Sequence, residues 1–185
     1  MVLLKVRPFI RAAFFTALTA IGAWLRLPLP SGAITLQFLF AIMAGVLLGA
    51  KYGAFSQLLY VALGLLGLPV FSSGGGFTYV LQPSFGFLLG LIAAAWVAGR
   101  VCRHNTSVRR IAVACSAALA ALYCIGLPYM AWIMGSYAEQ TLSFSQLLWA
   151  GLLSFLPGDA VKIALCCLLC PRIAARLGKM HEAVE

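Results

Sequence analysis

Two residues with opposite charge stand three positions apart near the end of a very apolar chain. They are Asp159 and Lys162, in the stretch Phe155-Leu156-Pro157-Gly158-Asp159-Ala160-Val161-Lys162. Proline suits the first turn of a helix, so Pro157 predicts a helix that starts there and carries both side chains on one face. Keeping an ionisable pair at membrane depth is expensive, which points to function. Two chemistries are open. The pair could neutralise itself as a buried ion pair. It could also hold a ligand, with Asp159 accepting from N–H donors and Lys162 donating to a carbonyl or carboxylate.

Other residues with chemical potential are few. Gln37 lies two residues into an apolar run, where its amide would either face an aqueous cavity or bond a neighbouring helix. Phe71-Ser72-Ser73-Gly74-Gly75-Gly76-Phe77-Thr78-Tyr79 is a glycine loop flanked by aromatic rings. Gly74, Gly75 and Gly76 free the backbone for positive φ and close approach to a ligand. A flexible outer loop is the plain alternative, but flanking Phe77 and Tyr79 suit a loop that packs over something flat, and Phe71 is a further candidate to line the site. No Gly-Lys-Ser/Thr follows, so the loop is not a phosphate-binding P-loop and the chain is not expected to hydrolyse ATP itself. The six cysteines lie in or beside apolar runs without paired histidine spacing. Cys166 and Cys170 share a helix face that could hold a soft metal, but small apolar packing residues are the expected role. No structural disulfide, metal site or bound cofactor is expected, and His104 and His181 read as solvated. Without a nucleophile or a catalytic acid–base set, an intramembrane enzyme is disfavoured and no catalytic residue is assigned.

The elements that must position these residues follow from composition. Of 185 residues, 63% are hydrophobic and 9% charged, against about a quarter charged in soluble domains. Continuous apolar runs exclude a β-barrel, whose strands alternate. The chain reads as one all-α polytopic membrane domain over residues 1–185. Six spans are expected: 9–27, 35–50, 54–66, 82–101, 111–127 and 157–176. The basic start followed by an apolar run reads as a retained first span rather than a signal peptide. Prolines make 28–34 a loop, Thr35 is expected to cap the second span, and Lys51-Tyr52-Gly53 to form a turn. The third span is too short to cross upright, with Leu68–Phe71 finishing it as non-helical backbone. Residues 129–156 read as an interfacial helix-loop-helix lid, and Pro171 as a kink in the last span. In the first span, Ala12, Thr16 and Ala20 form one small-residue line and Ala13 and Ala17 a second. Either line could pack internally or receive another protein's helix.

The net charge of +9 has a topological explanation rather than a nucleic-acid one. With the N-terminus inside, eleven of the thirteen basic residues fall on the cytoplasmic side, leaving Arg26 at the outer boundary and Lys162 within a span. Both termini are then cytoplasmic. The Pro-Leu-Pro loop with Gln37, the glycine loop, the lid and the Asp159/Lys162 helix start all converge on the outer end. A pocket open to the outside is the expectation. A bicyclic urea with an acidic tail would use both members of the pair.

Several stretches match one family in order. They are Leu27-Pro28-Leu29-Pro30 with Thr35-Leu36-Gln37; Gly45-Val46-Leu47-Leu48 through Gly49-Ala50-Lys51-Tyr52-Gly53; Gly64-Leu65-Leu66-Gly67-Leu68-Pro69-Val70-Phe71 with its glycine run; Phe85-Gly86-Phe87-Leu88-Leu89-Gly90; and Phe155 to Lys162. The chain resembles the BioY family, the biotin-binding S component of energy-coupling-factor vitamin transporters. The resemblance implies a six-helix S-component fold in a bacterial or archaeal plasma membrane and a biotin site near the outer surface. Asp159 and Lys162 would contact the ureido head, with Gln37 and the glycine loop, from Phe71 to Tyr79, lining the site. It implies that Ala13 and Ala17 dock against a transmembrane coupling protein, with ATP-binding cassette ATPases supplying the energy from ATP. The same fold specific for another vitamin, such as thiamine or riboflavin, is the nearest alternative.

Overall fold

The computed structural model describes residues 2–29, 32–103, 105–137 and 143–182. Most of them are helical. Helix α1 (Val2–Trp24) leads into a hairpin of β1 (Arg26–Leu29) and β2 (Gly32–Thr35). Then come α2 (Gln37–Leu65), α3 (Phe85–Val101), α4 (Val108–Tyr137), α5 (Phe144–Leu148) and α6 (Leu156–Glu182). A 3-10 turn (Phe77–Leu81) precedes α3, and a π turn (Trp149–Leu153) follows α5. Among the described residues, four stretches have the length and apolarity to cross a membrane: Val6–Trp24, Gln37–Leu65, Val108–Ser136 and Ser145–Arg176. Helix α3 is shorter and also apolar.

Helix α2 is two helices meeting at Gly49, whose backbone has φ 81° and ψ 171°. That region is essentially reserved for glycine. The break therefore comes two residues before the expected turn, and Lys51-Tyr52-Gly53 is helical. The halves, 37–48 and 50–65, correspond to the expected second and third spans. After Leu66 the chain becomes irregular, as the prolines and glycines of that stretch predict.

Packing is close because facing residues are small. A Cβ on Gly45 would stand 2.2 Å from the Ala95 carbonyl oxygen, and one on Gly99 would stand 2.3 Å from Ala50 N. These two contacts bring α3 onto both halves of α2, and α4 packs on the other side of α3. Helix α1 lies on α2, while α6 rests on α2 and α4. Between α4 and α6 lie the buried cysteines Cys115, Cys166 and Cys170, with 3.4 Å between the sulfurs of Cys166 and Cys170. All six cysteines are free thiols. Among the described residues, no group of three or more His, Cys, Asp or Glu side chains is suited to a metal ion.

The two small-residue lines of α1 separate cleanly. Ala12 and Thr16 are buried, and the Thr16 hydroxyl donates to the Ser56 carbonyl at 2.8 Å. Ala13 and Ala17 are exposed. The first line thus packs against the second half of α2, and the second is left uncovered among the described residues.

Three expectations need correction. Strands Arg26–Leu29 and Gly32–Thr35 pair antiparallel with Pro28 opposite Ala33, where a plain loop is the expectation for 28–34. Proline is tolerated because a two-stranded ribbon leaves both outer edges unpaired. Thr35 does not cap α2: Leu36 occupies the cap position without a side-chain bond, and Thr35 Oγ1 donates to Gln37 Oε1 at 2.8 Å. Helix α4 continues through Pro128 to Tyr137, where the fifth span was expected to stop at 127. Apolar surroundings favour intrasegment backbone bonding strongly enough for a helix to absorb one missing N–H. Residues 129–137 of the expected lid are therefore part of α4. The rest of that stretch, from 143, is a short capped helix and a π turn. Gly151 of the π turn lies against Leu127 and Met130 of α4. Glu139 and Gln140, like Ser31 and His104, lie outside the described residues.

Candidate ligand site

The acid and the base do meet. Lys162 Nζ donates to Asp159 Oδ1 at 2.8 Å, and both residues are buried, at 3% and 5% exposure. Helix α6 starts at Leu156, one residue before the helix-favouring Pro157, so the pair occupies its first two turns. The helix dipole there favours the carboxylate. A buried pair is costly unless its remaining polar valences are also used. One of them is: the Tyr123 hydroxyl, from α4, donates to Asp159 Oδ2 at 2.6 Å. Asp159 thus receives one proton donor on each oxygen, from two different helices.

A second polar cluster is centred on Tyr60 in the second half of α2. Gln37 Nε2 donates to the Tyr60 hydroxyl at 2.7 Å. That hydroxyl in turn donates to the Val70 carbonyl at 3.0 Å. The Gln37 amide is therefore buried and bonded to a neighbouring helical segment, one of its two expected arrangements. The Tyr60 ring meets Phe71 edge-on at 5.5 Å, and Phe71 meets Tyr79 at 4.6 Å. Gly64 leaves room for this stack, since a Cβ there would stand 2.0 Å from the Phe71 ring.

The glycine loop is shaped by this stack. Phe71 and Gly74 bond each other's backbone, Gly74 and Gly76 adopt φ of 114° and 108°, and Gly76 N donates to the Gly64 carbonyl at 2.7 Å. Phe71 and Tyr79 point into the protein, while Phe77 is 78% exposed. The three rings therefore do not act alike: only Phe77 offers its face outward. The hairpin end of the molecule grips the loop through Trp24 Nε1, which donates to the Pro69 carbonyl at 3.2 Å. Arg26 Nη1 also donates, to the Ser72 carbonyl at 2.6 Å.

The two clusters join through the hairpin. Gly158, next to Asp159, abuts Ile34 of β2: a Cβ there would stand 2.9 Å from the Ile34 side chain. One residue further, Thr35 holds the Gln37 amide. The start of α6, the hairpin, the start of α2 and the glycine loop thus gather at one end of the bundle. A buried ion pair, a buried amide and a clamped glycine loop in one place have the makings of a small-molecule site.

A family model described as the BioY family matches residues 1–179. The chain belongs to the BioY family. Similar proteins include the "Probable biotin transporter BioY" of Lysinibacillus sphaericus, 40% identical over 149 residues, covering 80% of this chain and 76% of that one. The "Biotin transporter BioY" of Thermotoga maritima is 32% identical over 177 residues, covering 95% and 98%. A solved crystal structure of the S-component for biotin from an ECF-type ABC transporter superposes with a TM-score of 0.69 at 28% identity, covering 91% of each chain. Membership in BioY places this chain among membrane transporter components and not among enzymes.

Tyr60 and Tyr123 are the polar residues that sequence reasoning passed over. Each stands in an apolar span, Tyr60 in 54–66 and Tyr123 in 111–127. The available signal was the hydroxyl itself, since a buried phenol needs a partner. For Tyr123 the unclaimed acceptor was Asp159.

Proposed function

We propose that this chain is the biotin-binding substrate-capture component of an energy-coupling-factor uptake transporter. In this reading it spans a prokaryotic plasma membrane six times, through α1, the two halves of α2, α3, α4 and α6. Both termini are cytoplasmic, in keeping with the distribution of basic residues. The hairpin, the glycine loop and the start of α6 then face outward, and biotin enters there.

The observation that carries the reading is the buried Asp159–Lys162 pair beside the hairpin. A carboxylate has about four acceptor positions and an ammonium three protons. Tyr123 and Lys162 use two of the former, and Asp159 one of the latter. The remaining valences match the two N–H groups and the carbonyl of a ureido ring. Gln37, Phe71, Tyr79 and Gly74 to Gly76 frame the wall, Phe71 and Tyr79 by setting the loop's shape. Energy comes from partners: a transmembrane coupling protein, received on the exposed Ala13/Ala17 line of α1, and ATPases that consume ATP. The chain itself carries no cofactor.

Ligand-dependent melting of the purified protein tests the assignment. Biotin at nanomolar to micromolar concentration should raise the melting temperature, while thiamine and riboflavin should leave it unchanged. No shift with biotin would sink the assignment, and a shift with thiamine or riboflavin would redirect it to another vitamin.

A further inference from the structure

We infer that Tyr123 is a positioning residue of the site, fixing the Asp159 carboxylate for the ligand's N–H groups. The inference rests on the biotin-binding reading and adds to it a residue on α4, a helix not otherwise part of the site.

Three observations carry it. The Tyr123 hydroxyl donates to Asp159 Oδ2 at 2.6 Å, within the short range of about 2.5–2.7 Å that marks a hydroxyl bonded to a carboxylate. Tyr123 is itself buried, and its ring is fixed edge-on against Phe87 of α3 at 6.1 Å. The bond also runs between helices. Lys162 is on the same helix as Asp159, so it moves with the carboxylate and cannot fix it relative to the rest of the bundle. Tyr123 holds it from outside. With Lys162 on Oδ1 and Tyr123 on Oδ2, the carboxylate plane is set, and so are the directions of its free lone pairs. The phenol's proton is committed to Asp159, so its oxygen presents only acceptor character to anything approaching. A donor-rich ligand is thereby favoured over one carrying a carbonyl in the same place.

Equilibrium binding of radiolabelled biotin to the purified full chain tests this in a double-mutant cycle. Tyr123→Phe keeps the ring against Phe87 and should bind biotin about 10- to 100-fold more weakly than the native chain, the usual effect of losing a hydrogen bond to a charged group. If Tyr123 acts through Asp159, adding Tyr123→Phe to Asp159→Asn should change affinity by less than about threefold, because interacting residues are not additive. Native affinity in Tyr123→Phe, or full additivity with Asp159→Asn, would overturn the inference while leaving the biotin reading intact. If the native chain binds no biotin, the biotin reading fails first and the inference with it. If Tyr123→Phe does not fold, 4-fluorophenylalanine at position 123 fills the hydroxyl's space without a proton to donate. It should show the same loss, and native affinity there would equally overturn the inference.

Discussion

Asp159 and Lys162 illustrate how a residue pair can be costly and retained. Each charge alone in this environment would be uncompensated, so removing one partner should destabilise the ligand-free protein by about 3–5 kcal/mol, whereas replacing both by apolar residues should cost much less or even stabilise. Lys162→Met alone is therefore expected to melt well below the native chain, and Asp159→Leu/Lys162→Met to recover most of that difference, while binding no biotin. Melting curves of the two variants without ligand check this. The pair was legible in the sequence because two charges in an apolar run stand out. Tyr123 and Tyr60 were not, because a tyrosine in such a run is equally a packing ring. Only the fold brings Tyr123 within 2.6 Å of its acceptor, and residues 36 positions apart leave no local signature.

At the scale of elements, the breaks in this chain matter as much as the helices. Gly49 has nothing within 4 Å of where a Cβ would stand, yet its φ is +81°. Gly49→Ala should therefore destabilise through backbone strain alone, by about 1–3 kcal/mol. Gly135, in α4, is equally open and without positive φ. Gly135→Ala should be neutral or stabilising by up to about 1 kcal/mol. Thermal unfolding of the two variants side by side separates strain from crowding. Gly64→Ala tests the opposite case. Its Cβ would collide with the Phe71 ring, so it should displace the glycine loop and weaken biotin binding through the loop's shape. Helix positions were largely readable from apolar runs and basic ends. Their limits were not, since Pro128 reads as a stop in water but is absorbed within apolar surroundings. The hairpin was hidden for a related reason: two prolines marked 28–34 as non-helical without saying that the flanking backbone pairs.

The whole molecule has two distinct surfaces on α1. The line of Ala12 and Thr16 is consumed by α2, whereas Ala13 and Ala17 lie exposed among Ile10, Phe14 and Ile21. Small residues within an apolar face allow close helix approach. Replacing both Ala13 and Ala17 by tryptophan should leave biotin binding by the isolated chain unchanged. The same change should abolish co-purification with a coupling protein and its ATPases, checked by pull-down of the assembled complex. Loss of biotin binding in that variant would instead make the face part of the chain's own fold. The sequence showed both lines but could not say which was used internally, because four-residue spacing is identical in the two and only the packing of α2 distinguishes them.

If the pair at the start of α6 reads the ligand, neutralising its acid should cost affinity before it costs the fold. The decisive measurement is the biotin affinity of Asp159→Asn in detergent, alongside ligand-free melting to show that the variant folds. Asp159→Asn should melt below the native chain yet still fold, and should bind biotin on the order of 100-fold more weakly, or worse. A folded variant with native affinity would contradict that reading and leave the pair with a purely structural role.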